Sequence, residues 1–224
     1  MELYSKKSSS IIQKAIITIG QILLIFWSLI VIYQNGLFES HHEITIKDIA
    51  LIILVSFNII NFLRFIITLF VFIKRKIPFE EAFSVILAFA LYYVGFIYLG
   101  SGSNSQNTIL IYIGIILFFV GCFFNTGSET QRHLWKKNVQ NAGQLYTKGL
   151  FGISRHPNYF GDLLWVLGYA AVTANVFSLL IPVALFMFFY FYNIPLQEKH
   201  LQEKYKEQFE QYKAKTKKFI PYIL

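Results

Sequence analysis

Long apolar segments separated by short polar ones dominate the chain. An apolar stretch of about 17–25 residues is long enough to cross a bilayer as a helix. Six such stretches occur, at residues 11–33, 46–73, 81–99, 109–125, 159–174 and 176–192. The last two are short, and we expect them to form a tight hairpin that turns at Ala174 and Asn175. The pattern therefore predicts an all-α fold, a polytopic membrane bundle of about six transmembrane helices with a cytosolic C-terminal helix.

The composition favours one membrane domain covering residues 1–224. Hydrophobic residues make up 55% of the chain and charged residues 14%, which is far from the average of soluble proteins. The six apolar stretches leave no room for a separate soluble domain, and the sequence has no internal repeat. We therefore expect the lipid bilayer to be the main partner, and nothing in the sequence indicates an obligate protein partner.

Lysine and arginine cluster in alternate loops, which predicts the orientation of the chain. The basic groups lie around residues 6–7, 74–76, 132–155 and 199–218, whereas the intervening loops carry only Lys47. Under the positive-inside rule both termini and the basic loops are cytosolic, in a bacterial inner membrane or an endoplasmic reticulum membrane. The net charge of +8 fits attraction to anionic headgroups or to an anionic cofactor; nucleic acid is not an expected partner.

The sequence predicts neither a disulfide nor a metal site. Cys122 is the single cysteine, which excludes an intrachain disulfide and a cysteine-based metal cluster. His41 and His42 lie in an outer loop, but their spacing is not that of helical metal ligands. We therefore expect no bound metal.

The densest group of reactive side chains is residues 155–162, Arg-His-Pro-Asn-Tyr-Phe-Gly-Asp. Proline suits the first position of a helix, because it has no N–H to lose there and its φ is preset. The free N–H groups and the dipole of a helix N-terminus favour an anion, and the guanidinium of Arg155 matches phosphate or carboxylate. Ionisable groups at the mouth of a membrane helix are costly, so they indicate a functional site.

A second polar group precedes this segment along the chain. Asn125, Glu129, Arg132 and Lys136 are spaced so that all four share one face of a helix. An interfacial helix that extends its charges to the membrane surface would show the same pattern. If this were the single polar face in the sequence, an interfacial helix would be the favoured interpretation. The other polar faces described below favour a functional site.

Asn158, Asp162 and Trp165 form another face at the same helical spacing. Asp162 lies about one turn inside the membrane helix, where an unpaired carboxylate is expensive. We expect it to pair with Arg155, His156 or a basic residue of the preceding face. A buried ion pair with a purely structural role is the alternative.

Two further patterns complete the candidate site. Glu198, Tyr205 and Tyr212 are spaced by seven residues in the charged helix that follows Pro195. Arg64 lies deep in the second apolar stretch, where it needs a partner or a cavity, and Arg75 follows eleven residues later on the same face. An arginine bonded to neighbouring helix carbonyls is the structural alternative for Arg64.

These residues resemble those of a known superfamily. Residues 155–162 are similar to the Arg-His-x-Asn-Tyr-x-Gly-Asp/Glu signature of membrane sterol reductases, steroid 5-alpha-reductases and the DUF1295 group. The tail, with Glu198, Tyr205 and Tyr212, looks like the C-terminal end of the same proteins. The resemblance is strong over about residues 121–224, which would be the catalytic and cofactor part. It implies NADPH-dependent reduction of a C=C bond in a steroid-, sterol- or enoyl-type substrate.

The resemblance also assigns roles to residues. The cofactor-binding residues would be Arg64, Arg75, Asn125, Glu129, Lys136, Arg155, His156, Asn158 and Glu198. The catalytic residues would be Tyr159, Tyr205 and Asp162, with Tyr92 and Tyr93 as further candidates for the proton donor. The chain departs from the steroid enzymes at Asn61, Gln197 and Leu201, where that family has Tyr, Arg and His, so the substrate and the proton donor are not assigned.

Two other functions compete with the reductase. Isoprenylcysteine carboxyl methyltransferases and phospholipid methyltransferases resemble the Arg-His-Pro-x-Tyr-x-Gly run and bind S-adenosylmethionine. Their tail normally carries a Glu-Glu pair where this chain has Gln197 and Glu198, and they do not require Asn158 and Asp162. A lipid-binding or assembly factor without enzymatic activity would explain the apolar helices and basic loops, but not the convergence of three polar faces.

Overall fold

The computed structural model describes residues 9–35, 43–103 and 107–224. The histidine pair His41 and His42 and the basic pair Lys6 and Lys7 lie outside the described residues. In the described ranges the regular elements are helical, as predicted for an all-α protein. Seven principal helices are α1 Ile11–Gln34, α2 Ile46–Phe72, α3 Phe79–Ser101, α4 Thr108–Lys136, α5 Pro157–Thr173, α6 Val176–Tyr205 and α7 Glu207–Lys215.

The lengths of the helices confirm a polytopic membrane bundle. Five helices of the described chain, α1, α2, α3, α4 and α6, are long and apolar enough to cross a membrane. The remaining predicted span, residues 159–174, corresponds to α5. This helix has 17 residues, which is the lower end of the length range for a membrane-spanning helix. The protein is therefore an integral membrane protein, and its orientation stays a prediction.

Four of the long helices contain a turn of π-helix in the part of the chain that the structure describes. These turns are Thr68–Phe72 in α2, Leu91–Gly95 in α3, Phe123–Gly127 in α4 and Phe189–Asn193 in α6. A π turn inserts an extra residue into the helix and is frequent near functional sites. The turn in α4 contains Asn125, one of the predicted site residues.

The chain divides into two compact units, and the single membrane domain over residues 1–224 stays a prediction. The first comprises Met1–Ile116 and Val166–Ile181, and the second Leu117–Trp165 and Pro182–Leu224. Helices α4, α5 and α6 each contribute residues to both units.

A buried polar network links helices within the first unit. The Asn58 side chain is fully buried and its Nδ2 donates to the Tyr93 carbonyl at 3.1 Å. The Tyr169 hydroxyl donates to Asn58 Oδ1 at 3.0 Å and accepts from Asn61 Nδ2 at 3.2 Å. Because no water satisfies polar groups in the bilayer core, such bonds between helices hold the bundle in one register.

The predicted turn between α5 and α6 is present in the first unit. Ala174 has a φ of 48°, a left-handed conformation that stops α5. The side chain of Asn175 then accepts from the Phe177 N–H at 3.0 Å and caps the following helical turn. Local chemistry at these positions therefore suffices to form the tight turn that the sequence predicts.

Close backbone approach joins α4 to α5 within the second unit. A Cβ atom on Gly121 would collide with the backbone of Gly161 and Trp165, and one on Gly161 would collide with the backbone of Gly121 and Asn125. Glycine is therefore required at this crossing, because only a missing side chain allows the two helices to come so near. The crossing fixes the polar faces of α4 and α5 against each other.

Candidate functional site

The polar faces of α4 and α5 meet at the glycine crossing, where Asn125 lies against Gly161. Asn125 Nδ2 donates to Asp162 Oδ1 at 2.8 Å and to the Asn158 carbonyl at 3.2 Å. Trp165 Nε1 also donates to Asp162 Oδ1, at 2.8 Å. The Asp162 carboxylate is thus held by two neutral donors, one from each helix, and Arg155 bonds elsewhere.

Arg155 lies immediately before α5 and is almost completely buried. Its Nε donates to Glu198 Oε1 of α6 at 2.8 Å. Its Nη1 donates to the carbonyls of Thr216 and Lys213, and its backbone N–H donates to the Lys217 carbonyl at 2.8 Å. The guanidinium therefore joins the start of α5 to α6 and to the segment after α7.

His156 is the next residue and is also buried. Burial lowers the pKa of His156, with the nearby Arg155 charge acting in the same direction and the hydrogen bond to Glu198 opposing both. The ring is consequently neutral at pH 7. Its Nε2 lies 3.3 Å from Glu198 Oε1, so a bond to this carboxylate places the proton on Nε2.

Tyr159 packs its ring between two others. Its ring centroid lies 5.6 Å from that of His156 and 4.6 Å from that of Phe189, with nearly parallel planes in both pairs. Phe189 opens the π turn of α6. The stack therefore ties the first turn of α5 to α6 beside Glu198.

A narrow cavity lies in the second unit against these residues. Half of its lining residues are aromatic or aliphatic, and the other half are polar or charged. The lining residues comprise Arg132, Lys136, Leu145, Tyr146, Phe151, Arg155, His156, Asn158, Gln197, Leu201, Tyr205 and Tyr212. Five of the predicted site residues, Lys136, Arg155, His156, Asn158 and Tyr205, are thus brought to one cavity.

Gln197 places an amide acceptor beside the cavity wall. Its Oε1 atom is buried, and no donor of the described residues meets full hydrogen-bond geometry with it, although the side chain interacts with the His156 ring and opposes the lowering of that imidazole's pKa by burial. A buried carbonyl without a well-placed donor costs free energy, and such a group in a native structure calls for an explanation. A ligand that brings an N–H or O–H donor would satisfy it.

Tyr212 closes the cavity from α7. Its hydroxyl donates to the carbonyls of Phe151 and Ser154, which fixes the loop before α5. Burial raises the pKa of the Tyr212 phenol, so it remains a hydrogen-bond donor over the whole physiological range. The residue therefore shapes the wall and does not act as an acid near neutral pH.

The charged face of α4 carries an internal ion pair. Arg132 Nη2 bonds Glu129 Oε2 one turn away on the same helix, and its guanidinium carbon lies 5.4 Å from the centre of the Phe151 ring. Lys136 continues this face at the end of α4 and lines the cavity. It supplies a second positive charge to the wall, beside the one on Arg132.

The two arginines predicted to hold cofactor phosphates lie in the first unit. Arg64 donates to Asn61 Oδ1 at 2.5 Å, as part of the polar network around Tyr169. Arg75 forms a two-bond ion pair with Glu81 at 2.5 and 2.7 Å. Tyr93, a candidate proton donor, is fully buried there and donates to Gln21 Oε1 at 3.1 Å.

Several cavity residues were not singled out by the sequence. Leu145, Tyr146 and Phe151 lie in the loop between α4 and α5, where no helical periodicity marks a face. The one available signal is the presence of aromatic residues in a basic loop next to a helix mouth. Gln197 and Leu201 were noted only as departures from a family pattern, and the fold places both in the wall.

The two expected cofactors need different donor sets. NADPH carries several phosphate charges, and its binding needs cationic donors directed at them. The Nε and Nη1 groups of Arg155 are bonded to Glu198 and to main-chain carbonyls, and Arg132 is paired with Glu129. S-Adenosylmethionine has no phosphate and carries a sulfonium cation, which suits an aromatic wall.

The family of the chain is found by comparison with known proteins. A family model described as "Protein of unknown function (DUF1295)" matches residues 68–216. This range is more than half of the chain and includes every cavity residue named above.

Curated relatives include enzymes of two reaction classes. A probable protein-S-isoprenylcysteine O-methyltransferase of Oryza sativa subsp. indica is 24% identical over 117 residues, covering 50% of this chain and 61% of that protein. The protein-S-isoprenylcysteine O-methyltransferase of Saccharomyces cerevisiae is 28% identical over 116 residues, covering 50% and 48%. The Delta(14)-sterol reductase of Arabidopsis thaliana is 29% identical over 134 residues, covering 50% and 34%. The chain therefore spans less than two thirds of the length of these relatives.

Proposed function

The chain belongs to the DUF1295 family, and from the site that this segment forms we propose a membrane methyltransferase, which transfers the methyl group of S-adenosylmethionine to a lipophilic acceptor. This is the alternative that the sequence left open beside the reductase. Methyltransferases are the more frequent among the relatives above, and the methyl acceptor would enter from the bilayer that surrounds the helices.

One observation carries the proposal. Three hydrogen bonds from the Arg155 side chain go to Glu198 and to the carbonyls of Lys213 and Thr216. An arginine bonded in this way stabilises the protein and offers little to a pyrophosphate.

The rest of the lining combines aromatic rings and the Gln197 amide with Lys136 and with Arg132, which is paired with Glu129. Two of the three cations that the described residues bring to the lining, Arg155 and Arg132, are thus engaged within the protein, which favours a cofactor without phosphates.

The remaining groups match the parts of S-adenosylmethionine. Tyr146, Tyr205 and Tyr212 provide ring faces for the adenine and for the sulfonium, since π-faces attract both. The N-terminus of α5 at Asn158 favours the cofactor carboxylate. Gln197 Oε1 would accept from an amino group of the cofactor. These residues would bind and orient the cofactor while the aromatic wall excludes water.

S-Adenosylmethionine held by Tyr146, Tyr205, Asn158 and Gln197 would supply an electrophilic methyl group. This group would pass to the acceptor heteroatom as the carbon–sulfur bond broke and its electron pair returned to sulfur as a neutral thioether. A hydroxyl or amine acceptor also releases a proton, whereas a carboxylate or thiolate acceptor does not. The protein's contribution would be mainly positioning and desolvation.

The cavity must widen to take the whole cofactor. Its open space is about 40 Å³, the volume of one or two water molecules. One wall is the loop that carries Leu145 and Tyr146, and the Leu145 N–H is held by Gln208 Oε1 at 3.1 Å. This loop is joined to α7 by that bond to a side chain. Its Leu145 also packs against a buried aromatic cluster formed by Tyr205, Phe209 and Tyr212. We expect the loop to move outward when the cofactor enters.

A specific observation keeps the reductase as the second candidate. Asn125 of α4 bonds the Asp162 carboxylate and the Asn158 carbonyl of α5, and Asn158 and Asp162 match the Asn and the acid of the reductase-type signature at residues 155–162. Hydride transfer from NADPH would need Lys136 and Arg132 to hold the phosphates. The direct comparison of the two cofactors therefore tests both candidates at once.

The first experiment compares S-adenosylmethionine and NADPH by thermal stability and calorimetry on the detergent-purified protein. A ligand at 100 times its Kd stabilises a folded protein by about 2.7 kcal/mol. We expect this shift with S-adenosylmethionine. Gln197→Met keeps the length of the side chain and removes the acceptor, so it should weaken binding roughly tenfold, equivalent to about 1.4 kcal/mol.

The matched control is Gln211→Met on the exposed face of α7, which should bind like the wild type. Stabilisation by NADPH and not by S-adenosylmethionine would reject the methyltransferase and establish the reductase. If Gln197→Met and the wild type bind S-adenosylmethionine equally well, the proposed contact of Gln197 is rejected, but the methyltransferase proposal is not.

A further inference from the structure

The segment that follows Tyr212 concentrates positive charge. Residues 213–219, here named the C-terminal strap, read Lys-Ala-Lys-Thr-Lys-Lys-Phe and contain no acidic residue; the last acidic residue before them is Glu210. Lys213, Lys215 and Lys217 are exposed. The strap therefore presents several uncompensated ammonium groups to its surroundings.

The strap is fastened to a membrane-crossing helix. Phe219 is fully buried, and its ring centroid lies 5.6 Å from that of Phe186 of α6. Lys218 Nζ lies 4.2 Å from the centre of the Tyr190 ring on the same helix. After the strap, Tyr222 and Ile223 are 75% and 74% exposed. Lysines beside exposed aromatic and aliphatic side chains on a membrane helix are the composition of a membrane interface.

The backbone of the same strap supports the candidate site. Thr216, between Lys215 and Lys217, accepts from the Arg155 guanidinium, and the Lys217 carbonyl accepts from the Arg155 N–H. The Phe219 carbonyl accepts from Ser154 Oγ at 2.7 Å. The side chains of Lys213, Lys215 and Lys217 are thus exposed, while the carbonyls of the strap hold the residues that precede α5.

We propose that the C-terminal strap is a binding site for anionic phospholipid headgroups, and that bound lipid holds the strap against Arg155 and so tightens the cofactor cavity. Phosphate groups are the complement of closely spaced lysines, and each lysine near an anionic membrane surface contributes to attraction. The lipid site stands independently, whereas the coupling to cofactor affinity rests on the proposed function.

The position of the C-terminal strap on α6 favours membrane lipid as the source of the phosphate group. Phe219 and Lys218 fix the strap to α6 beside the π turn at Phe189–Asn193, within a helix long and apolar enough to span the bilayer. Where α6 leaves the bilayer, the lysines of the strap would reach lipid headgroups without any movement of the helices. A soluble phosphate compound would meet the same lysines but would gain nothing from exposed Tyr222 and Ile223.

The test uses the full chain in nanodiscs of phosphatidylcholine, with and without phosphatidylglycerol. Lys215→Gln/Lys217→Gln removes two charges that flank Thr216 and leaves the backbone acceptors in place. Lys74→Gln/Lys76→Gln removes two exposed charges from the loop between α2 and α3 and is the matched control. Native mass spectrometry measures retained phosphatidylglycerol, and calorimetry measures the Kd for S-adenosylmethionine.

We expect wild type and control to retain phosphatidylglycerol and to bind S-adenosylmethionine severalfold more tightly in anionic discs. The strap variant should lose both effects and match the wild type in neutral discs. Equal lipid retention by the strap variant and the control would overturn the lipid site. If retention falls but cofactor affinity does not depend on lipid, the coupling is overturned. If S-adenosylmethionine binds in neither disc while retention still falls, the lipid site stands and the proposed function fails.

Discussion

At the scale of single residues, the site depends on which groups saturate Arg155. A guanidinium bonds carboxylate and phosphate more strongly than a neutral carbonyl, and its role depends on which of these acceptors the fold brings within reach. Here they are Glu198 and the carbonyls of the C-terminal strap. Arg155 therefore organises the cavity wall, and the neighbouring His156 is held neutral beside it.

The pH dependence of stability should report the burial of His156. The lowered pKa of His156 in the folded protein means that the unfolded chain binds more protons between this pKa and about 6.5. Stability should therefore fall as the pH drops through this window, with a slope approaching 1.4 kcal/mol per pH unit. The measurement is thermal unfolding of the detergent-purified protein from pH 7.5 to 5.5.

His156→Gln cannot titrate and serves as the reference for this measurement. Its stability should be lower at pH 7.5 but should depend less on pH below 6.5. Parallel curves for the two proteins would show that His156 does not bind the proton responsible.

At the scale of elements, the crossing of α4 and α5 aligns the polar faces. Asn125 reaches Asp162 because Gly121 and Gly161 allow the two backbones into contact. The π turn at Phe123–Gly127 lies at this level of α4. The helical spacing of the polar residues thus becomes a site only when the glycines bring the faces together.

Gly161→Ala should disrupt this crossing. The added Cβ would meet the backbone of Asn125 and Gly121, which cannot move aside as a flexible side chain can. Overpacking commonly costs about 1–3 kcal/mol, and we expect a loss at or above the top of this range. The check is the apparent melting temperature together with the elution profile in detergent.

Gly95→Ala is the matched control, because it also lies in a membrane helix but its Cβ would find the nearest atom at 3.9 Å. It should be neutral or slightly stabilising, since alanine has the higher helix propensity. A Gly161→Ala protein as stable as Gly95→Ala would contradict the requirement for glycine at the crossing.

At the scale of the whole molecule, the alternation of basic loops predicts one orientation. The apolar helices identify the segments in the membrane, but the side of each loop depends on the charge pattern alone. Loops carrying Lys76 and Lys148 should face the cytosol, together with the cavity residues that lie between α4 and α5. Loops carrying Glu43 and Asn107 should face the opposite side.

Cysteine labelling in intact cells tests this orientation directly. Cys122 is the single cysteine, so Cys122→Ala provides a background without thiols. A membrane-impermeant maleimide added outside should label Glu43→Cys and Asn107→Cys, and should label Lys76→Cys and Lys148→Cys only after the membrane is opened. The reverse pattern would invert the predicted topology.

The sequence by itself determined the features that depend on neighbours along the chain. The apolar stretches, the turn at Ala174 and Asn175, and the start of α5 at Pro157 follow from local hydrophobicity, capping and backbone preference. The helical spacing also predicted which polar residues share a face. These features need no information about distant parts of the chain, because helices satisfy their backbone hydrogen bonds internally.

Only the tertiary structure decided which polar groups meet. Asp162 bonds Asn125 and Trp165, while Arg155 bonds Glu198 and carbonyls more than fifty residues away. Hydrogen-bonding capacity is limited, so the partner that the fold brings closest determines what remains for a ligand. The aromatic wall and the Gln197 amide likewise come from separate segments, which is why the sequence pattern could identify the region of the site but not the cofactor.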